Sequence, residues 1–229
     1  MGLPSMRVVL NAKIYVAGEA RERALDSARG VIGDRVAELD FEHEVELRDD
    51  DRLEVSGFGD DAEAALALLV EEFGEYTTEP HDGETYLGTL EGWGDEGFVV
   101  DVGVDIVVPP SQLEDLGQGD AGEIRERYGL VQHTPLEVVA GDTPRLSDEQ
   151  VDKLWSWRKG ETGRLNVNSC TRAEVRATVN RAGHANDIVT VERLGLLEQS
   201  VVCAPGTDPP GLLASVGKYL EGEMKCVVV

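Results

Sequence analysis

The chain has 229 residues, 45 of them acidic against 21 Lys and Arg, for a formal net charge of -24, and 41% are apolar. High charge with intact apolar periodicity excludes disorder, which needs low hydrophobicity as well. No apolar run approaches the ~18 residues of a membrane span, residues 1–9 hold no sustained signal-type apolar stretch, and Cys170, Cys203 and Cys226 are too scattered for a disulfide framework or zinc ribbon.

The length accommodates two or three small units, and the pattern predicts an α+β chain of three. The first, residues 1–76, reads as a strand over 7–16, a helix over 18–32 with Leu25, Ala28 and Ile32 on one stripe, and two short strands at 44–47 and 52–56. A second helix follows, capped by Asp60 with Glu63 three residues on, carrying Ala62, Ala65, Leu66, Leu69, Val70 and Phe73 as its apolar face. The order β-α-β-β-α predicts a ferredoxin-like layer of helices on an antiparallel sheet. Residues 77–83, rich in turn formers and acids, read as a linker.

The second unit, residues 85–140, alternates apolar and polar positions in short runs punctuated by glycine. Gly88 and Leu90, then Gly97, Phe98, Val100, Asp101 and Gly103, then Ser111 and Leu113 together resemble the S1 type of OB-fold RNA-binding domain. The resemblance covers about 30 residues of motif and departs from the family at Pro109 and Pro110, where a histidine is usual. It implies a small barrel that stacks bases on projecting aromatics, with Phe98 as the matching position and Tyr86 and Trp93 beside it.

The third unit, residues 145–229, reads as a helix from Ser147, a strand over 163–168, and a helix opened by the capping box Thr171 and Glu174. Strands at 198–203 and 224–229 and a helix at 211–220 complete it, with 188–196 left open between helix and strand. Gly183 and His184 read as a helix C-terminal cap. The glycine- and proline-rich loop at 204–211 lacks the lysine and spacing of a phosphate-binding loop, its Asp208 would repel phosphate, and it reads as a capped turn with proline near the first helical position. Its 208–213 run also resembles the entry to the first helix of ACT-type amino-acid-sensing domains, and the runs at 192–198 and 202–207 resemble a conserved archaeal family of unassigned function.

Charge reverses locally in this unit: from Lys153 to Arg181 there are seven basic and two acidic residues, with two of the three tryptophans. Lys153, Trp155, Trp157, Arg158, Lys159, Arg164, Arg172, Arg176 and Arg181 thus combine phosphate-contacting cations with flat faces for bases. With no constellation of acid, base and nucleophile and four scattered histidines, neither catalysis nor a metal or other cofactor is expected. The acid-rich, lysine-poor composition matches that of a salt-in haloarchaeon. The expectation is a non-catalytic, cytoplasmic RNA-binding factor in translation, ribosome assembly or RNA processing, with RNA and components of that machinery as partners and no membrane association. The alternatives are a small-metabolite-sensing module around 208–213 and a protein-interaction adaptor anchored by Trp155 and Trp157.

Overall fold

A computed structural model describes residues 5–229; residues 1–4, part of the start read for a targeting signal, lie outside the described residues. Three antiparallel sheets, built from twelve strands and backed by six α-helices among the described residues, each enclose a core. No described helix is long and apolar enough to cross a membrane.

In the first unit, β1 (Met6–Lys13), β2 (Glu42–Leu47) and β3 (Arg52–Phe58) pair in the order β1-β3-β2 under α1 (Gly18–Val36) and α2 (Ala62–Phe73). Strand alternation sends Val8, Leu10 and Ala12 toward the helices, where Ala24, Ala28, Ile32 and Val36 form the buried stripe of α1; Leu25 is only half-buried. The cap of α2 differs from expectation: Asp61, not Asp60, occupies the N-cap, and its carboxylate accepts from the Asp40 backbone N–H at 2.9 Å rather than from its own helix. Beyond α2 the chain pairs briefly with the free edge of β1, Asn11 N–H donating to Gly74 O at 3.0 Å and Tyr76 N–H to Val9 O at 2.9 Å. That bridge stands where the fourth strand of a ferredoxin-like sheet would lie.

The second unit pairs β4 (Thr85–Gly94), β5 (Gly97–Asp101), β6 (Asp105–Val108), β7 (Pro135–Val139) and β8 (Arg145–Leu146) in the order β6-β5-β4-β7-β8, with α3 (Ala121–Arg127) between the third and fourth strands. Gly97 is required here: its φ is +109°, and a Cβ would lie 1.9 Å from Val108 O. The unit also claims α4 (Asp148–Lys159), whose Leu154 and Trp157 are buried among Leu90, Phe98, Val100 and Tyr128. The sequence reading placed this helix in the third unit. The two residues of β8 hold the chain on the middle sheet, Val138 opposite Leu146, and Gln150 Oε1 accepts from Glu137 N–H at 3.0 Å.

The third unit is β9 (Arg164–Val167), α5 (Arg172–Arg181), β10 (Ile188–Arg193), β11 (Gln199–Cys203), α6 (Pro209–Val216) and β12 (Met224–Val227). Its sheet order, β10-β11-β9-β12, is antiparallel throughout and gives the complete split β-α-β arrangement of ferredoxin-like layers. α5 starts where the sequence reads it, whereas α6 starts at Pro209, two residues before the expected 211, and ends at Val216 rather than at 220. Thr171 and Glu174 form the reciprocal capping box, and Asp208 accepts from Gly211 N–H at 2.9 Å.

The units interlock. Leu196 and Leu197 of the third enter the core of the first, and Val227 enters that of the second. The helix-free face of the third sheet lies against the second unit, where Asn166 Nδ2 donates to Gly129 O at 2.8 Å.

Candidate nucleic-acid interface

The aromatic residues read as a stacking surface are distributed differently in the fold. Phe98 is 0% exposed and lies in the second core. It shares the inward face of β5 with Val100, so it offers no face to a base. Trp157 is likewise buried at 3%. Trp93 is half-buried with the Arg125 guanidinium 3.6 Å from its ring centre. Trp155 donates its indole N–H to Asp115 O at 2.9 Å, packs edge-on to Tyr128, and has the Lys159 ammonium 4.7 Å from its ring. Tyr86 is half-buried, its hydroxyl donating to Glu84 at 2.8 Å and accepting from His81 N–H at 2.9 Å.

The cations divide. Lys153 on α4 and Arg172 at the start of α5 line one open groove of about 410 Å³, together with Arg193 at the end of β10, Thr190, Val191, Glu192 and Leu194. Arg172 is anchored: its Nε donates to Val191 O at 2.6 Å, on the outer edge of β10. Arg193 was missed because 188–196 had no assigned period. Once β10 is a strand, period two puts Arg193 on the same side as Val191. Arg164 is committed elsewhere, ion-paired with Glu192 and lying over Trp157 at 5.5 Å. Arg158 and Lys159 are exposed at the end of α4, and Arg176 is exposed on α5. Arg181 lies outside this set, in a separate groove with Arg23 of α1 and Tyr219. The basic run of the sequence thus crosses two units, and only part of it converges.

The 208–213 run, matched to the first helix of an ACT-type domain, opens the second helix of its unit, with Pro209 and Leu212 buried. His184 completes a Schellman cap: its N–H donates to Val179 O at 3.0 Å and that of Gly183, at φ +86°, to Asn180 O at 3.1 Å.

A second cluster escaped sequence reading altogether, because its members are brought together from all three units. The rings of Tyr15 and His133 stack with centroids 3.8 Å apart. The Tyr15 hydroxyl donates to Glu198 Oε1 at 3.2 Å and accepts from Ser169 N–H at 3.1 Å. His133 Nδ1 lies 3.1 Å from Glu91 Oε1, which also accepts from Thr89 at 2.6 Å and Lys13 at 3.0 Å. Lys13 continues to Asp101, which Arg52 also meets, at 2.7 Å. Two of the three described non-glycine residues with positive φ, His133 at +67° and Ser169 at +61°, are here, and such strain persists only where surroundings over-determine it.

The electrostatics of the cluster are polarised. Burial pushes the Glu198 carboxyl up to about 8, with the Leu197 N–H and Tyr15 hydroxyl partly opposing it and the Glu91 charge adding to it. Burial and the Glu198 charge also hold the Tyr15 phenol well above its ordinary range. For Glu91, burial alone would raise the pKa, yet hydrogen bonds from His133 and Thr89 and the charges of His133 and Lys13 bring it down to about 2. At Asp101 burial is likewise overridden, by Lys13, the Gly103 N–H and Arg52, and its pKa is lowered.

Three family models together match nearly the whole chain: a DUF2110 N-terminal domain over residues 7–79, a DUF2110 central domain over 80–158 and a DUF2110 C-terminal domain over 162–228. The central match ends in the last turn of α4, so it includes the helix whose Leu154 and Trp157 pack into the second core. No curated protein matches the chain. With three consecutive units that coincide with these three models, the chain belongs to the DUF2110 family.

Proposed function

We propose that this protein is a non-catalytic RNA-binding factor of a halophilic archaeon, working in the cytoplasm in translation, ribosome assembly or RNA processing. The observation that carries the reading is the convergence of Lys153, Arg172 and Arg193, from two units and three elements, on one groove of a chain with net charge -24. A cationic groove kept on so acidic a molecule suits a polyanion. In support, the middle sheet has five strands in the order third-second-first-fourth-fifth with a helix between the third and fourth, in keeping with a partly open S1-type barrel.

The groove, rather than the barrel face, is the contact in this reading. OB folds bind through their second and third strands, and here those strands offer Val99, Val107 and Asp105 beside the acidic Asp95–Glu96 turn, while Asp101 is already held by Lys13 and Arg52. Contacts restricted to phosphates position an RNA without reading its bases, so the expected binding is largely sequence-independent. At molar salt the screening length is about 3 Å, and direct hydrogen bonds from the anchored Arg172 remain effective at that range.

The test is fluorescence anisotropy of a labelled single-stranded RNA over a KCl series. Reversing Arg172 and Arg193 to Glu weakens binding and lowers the slope of log affinity against log salt by about 0.7 per lost phosphate contact. Affinity and slope equal to wild type would remove the groove from RNA binding.

A further inference from the structure

The turn joining β10 to β11, residues 194–198, carries Leu196 and Leu197 out of the third unit and into the core of the first. It is closed by its own backbone, Leu194 N–H and Gly195 N–H both donating to Glu198 O, at 2.9 and 3.1 Å. The Glu198 side chain points into the junction, where Leu197 N–H at 3.0 Å and the Tyr15 hydroxyl at 3.2 Å are its donors. The residue is 4% exposed. Around it is a cavity of about 20 Å³, bounded by Ala12, Glu72 and Phe73 of the first unit and Thr89 and Pro135 of the second; one water fills such a space.

The groups facing Glu198 leave its charge uncompensated. From β4 comes the charge of Glu91, from α2 Glu72, itself paired with Arg35 of α1 at 3.0 Å, and from just beyond β1 the neutral phenol of Tyr15. The nearby cation, Lys13, is held by Glu91 and Asp101, and His133 is bonded to Glu91. The third unit itself contributes backbone N–H groups, of Leu197 to the carboxylate and of Ser169 to Tyr15. Burial and the Glu91 charge outweigh the Leu197 and Tyr15 donors and favour the protonated carboxyl in the closed turn, whereas in water it ionises in the ordinary range. The proton is therefore a ligand of the closed turn and not of the open one.

We infer that residues 194–198 form a proton-gated latch between the first and third units, seated while Glu198 is protonated and increasingly withdrawn as pH rises. Opening lifts Leu196 and Leu197 from the first core. It also frees Arg193, the adjoining residue of the groove wall, so the latch regulates the groove; that second consequence rests on the RNA reading above.

The experiment is amide hydrogen exchange of the intact protein at fixed KCl, read by mass spectrometry for the peptide covering 194–198, with intrinsic rates divided out. Because one proton is linked to closure, the opening equilibrium rises about tenfold per pH unit above the ordinary carboxylate range. It flattens where the closed turn itself ionises, near the value of about 8. E198Q gives a flat profile. Y15F, which removes a donor that favours the ionised form, carries the rise to higher pH; it and the wild-type slope stand as tests even where E198Q folds poorly. A wild-type profile as flat as that of E198Q, or equal slopes in both, overturns the latch. Gated exchange with an RNA affinity indifferent to pH retains the latch and overturns its link to the groove.

Discussion

Replacing Glu91 by Gln tests whether the junction is a working electrostatic centre. Glu91 is held from its ordinary 4.5 down to about 2, and at about 1.4 kcal/mol per pH unit that depression contributes roughly 3 kcal/mol. Its side chain is 22% exposed, so little of this is lost to solvent screening. Because the folded-state value lies below the unfolded one, the contribution is fully present above the ordinary carboxylate value and disappears as pH falls toward about 2. The assay is urea unfolding of wild type and E91Q at a series of pH values. At neutral pH the variant is less stable by about 2–3 kcal/mol, and below about pH 4.5 the gap narrows by up to 1.4 kcal/mol per unit. Glu198 acts in the other direction and another window: its raised value gives a contribution that is complete below the ordinary range and lost as pH rises toward about 8. A gap under about 0.5 kcal/mol at neutral pH, within what an ordinary surface substitution produces, or one that stays constant to pH 3, would refute the centre.

Truncating Leu197 to Ala, at 1% exposure in the first unit's core, costs about 3 kcal/mol. Because the residue belongs to the third unit, calorimetry should also show one transition broadening toward two; a loss under 1 kcal/mol with one sharp transition refutes the interlocked arrangement. Phe98→Ala costs about 3–5 kcal/mol and leaves the RNA affinity of the folded fraction unchanged, as anisotropy at low temperature would check; a selective loss of RNA binding would return Phe98 to the contact surface.

What was legible in the sequence was local. Ser147 and Thr171 with Glu174 start helices through bonds that span three residues, so their spacing alone reveals them; Asp208 caps α6 by the same kind of bond, two residues ahead of the helix start read at 211. Asp60 and Asp61 show the limit of that logic: two adjacent aspartates are equivalent as caps until the distant Asp40 N–H takes one. The S1 resemblance put Phe98 on the stacking face, and alternation does not correct it, because Phe98, Val99 and Val100 are all apolar and do not tell which side of the strand meets the core. A strand of two residues, β8, has no period to read. The junction left no signal at all, since Tyr15 and Glu198 are 183 residues apart and one functional carboxylate is indistinguishable among 45 acids.

The scarcity of lysine sharpens what the fold does with it. Only five lysines occur; Lys13 is 12% exposed and bridges Glu91 and Asp101 at the junction, and Lys153 lines the groove. Exposed pairs such as Arg23 with Glu19, 57% and 95% exposed, contribute little and less in salt. The buried Lys13–Asp101–Arg52 links are screened much less, so they fix how the first unit meets the second under conditions that erase surface pairing. The groove has one wall from the second unit, α4, and the other from the third, α5 and β10. The separation of Lys153 from Arg172 and Arg193 is therefore set by docking of units, not by any one of them. On the proposed RNA reading, a substitution at Lys13 or Glu91, far from the groove in sequence, alters RNA affinity to the extent that it lets the units shift, whereas one on the outer edge of β2 does not.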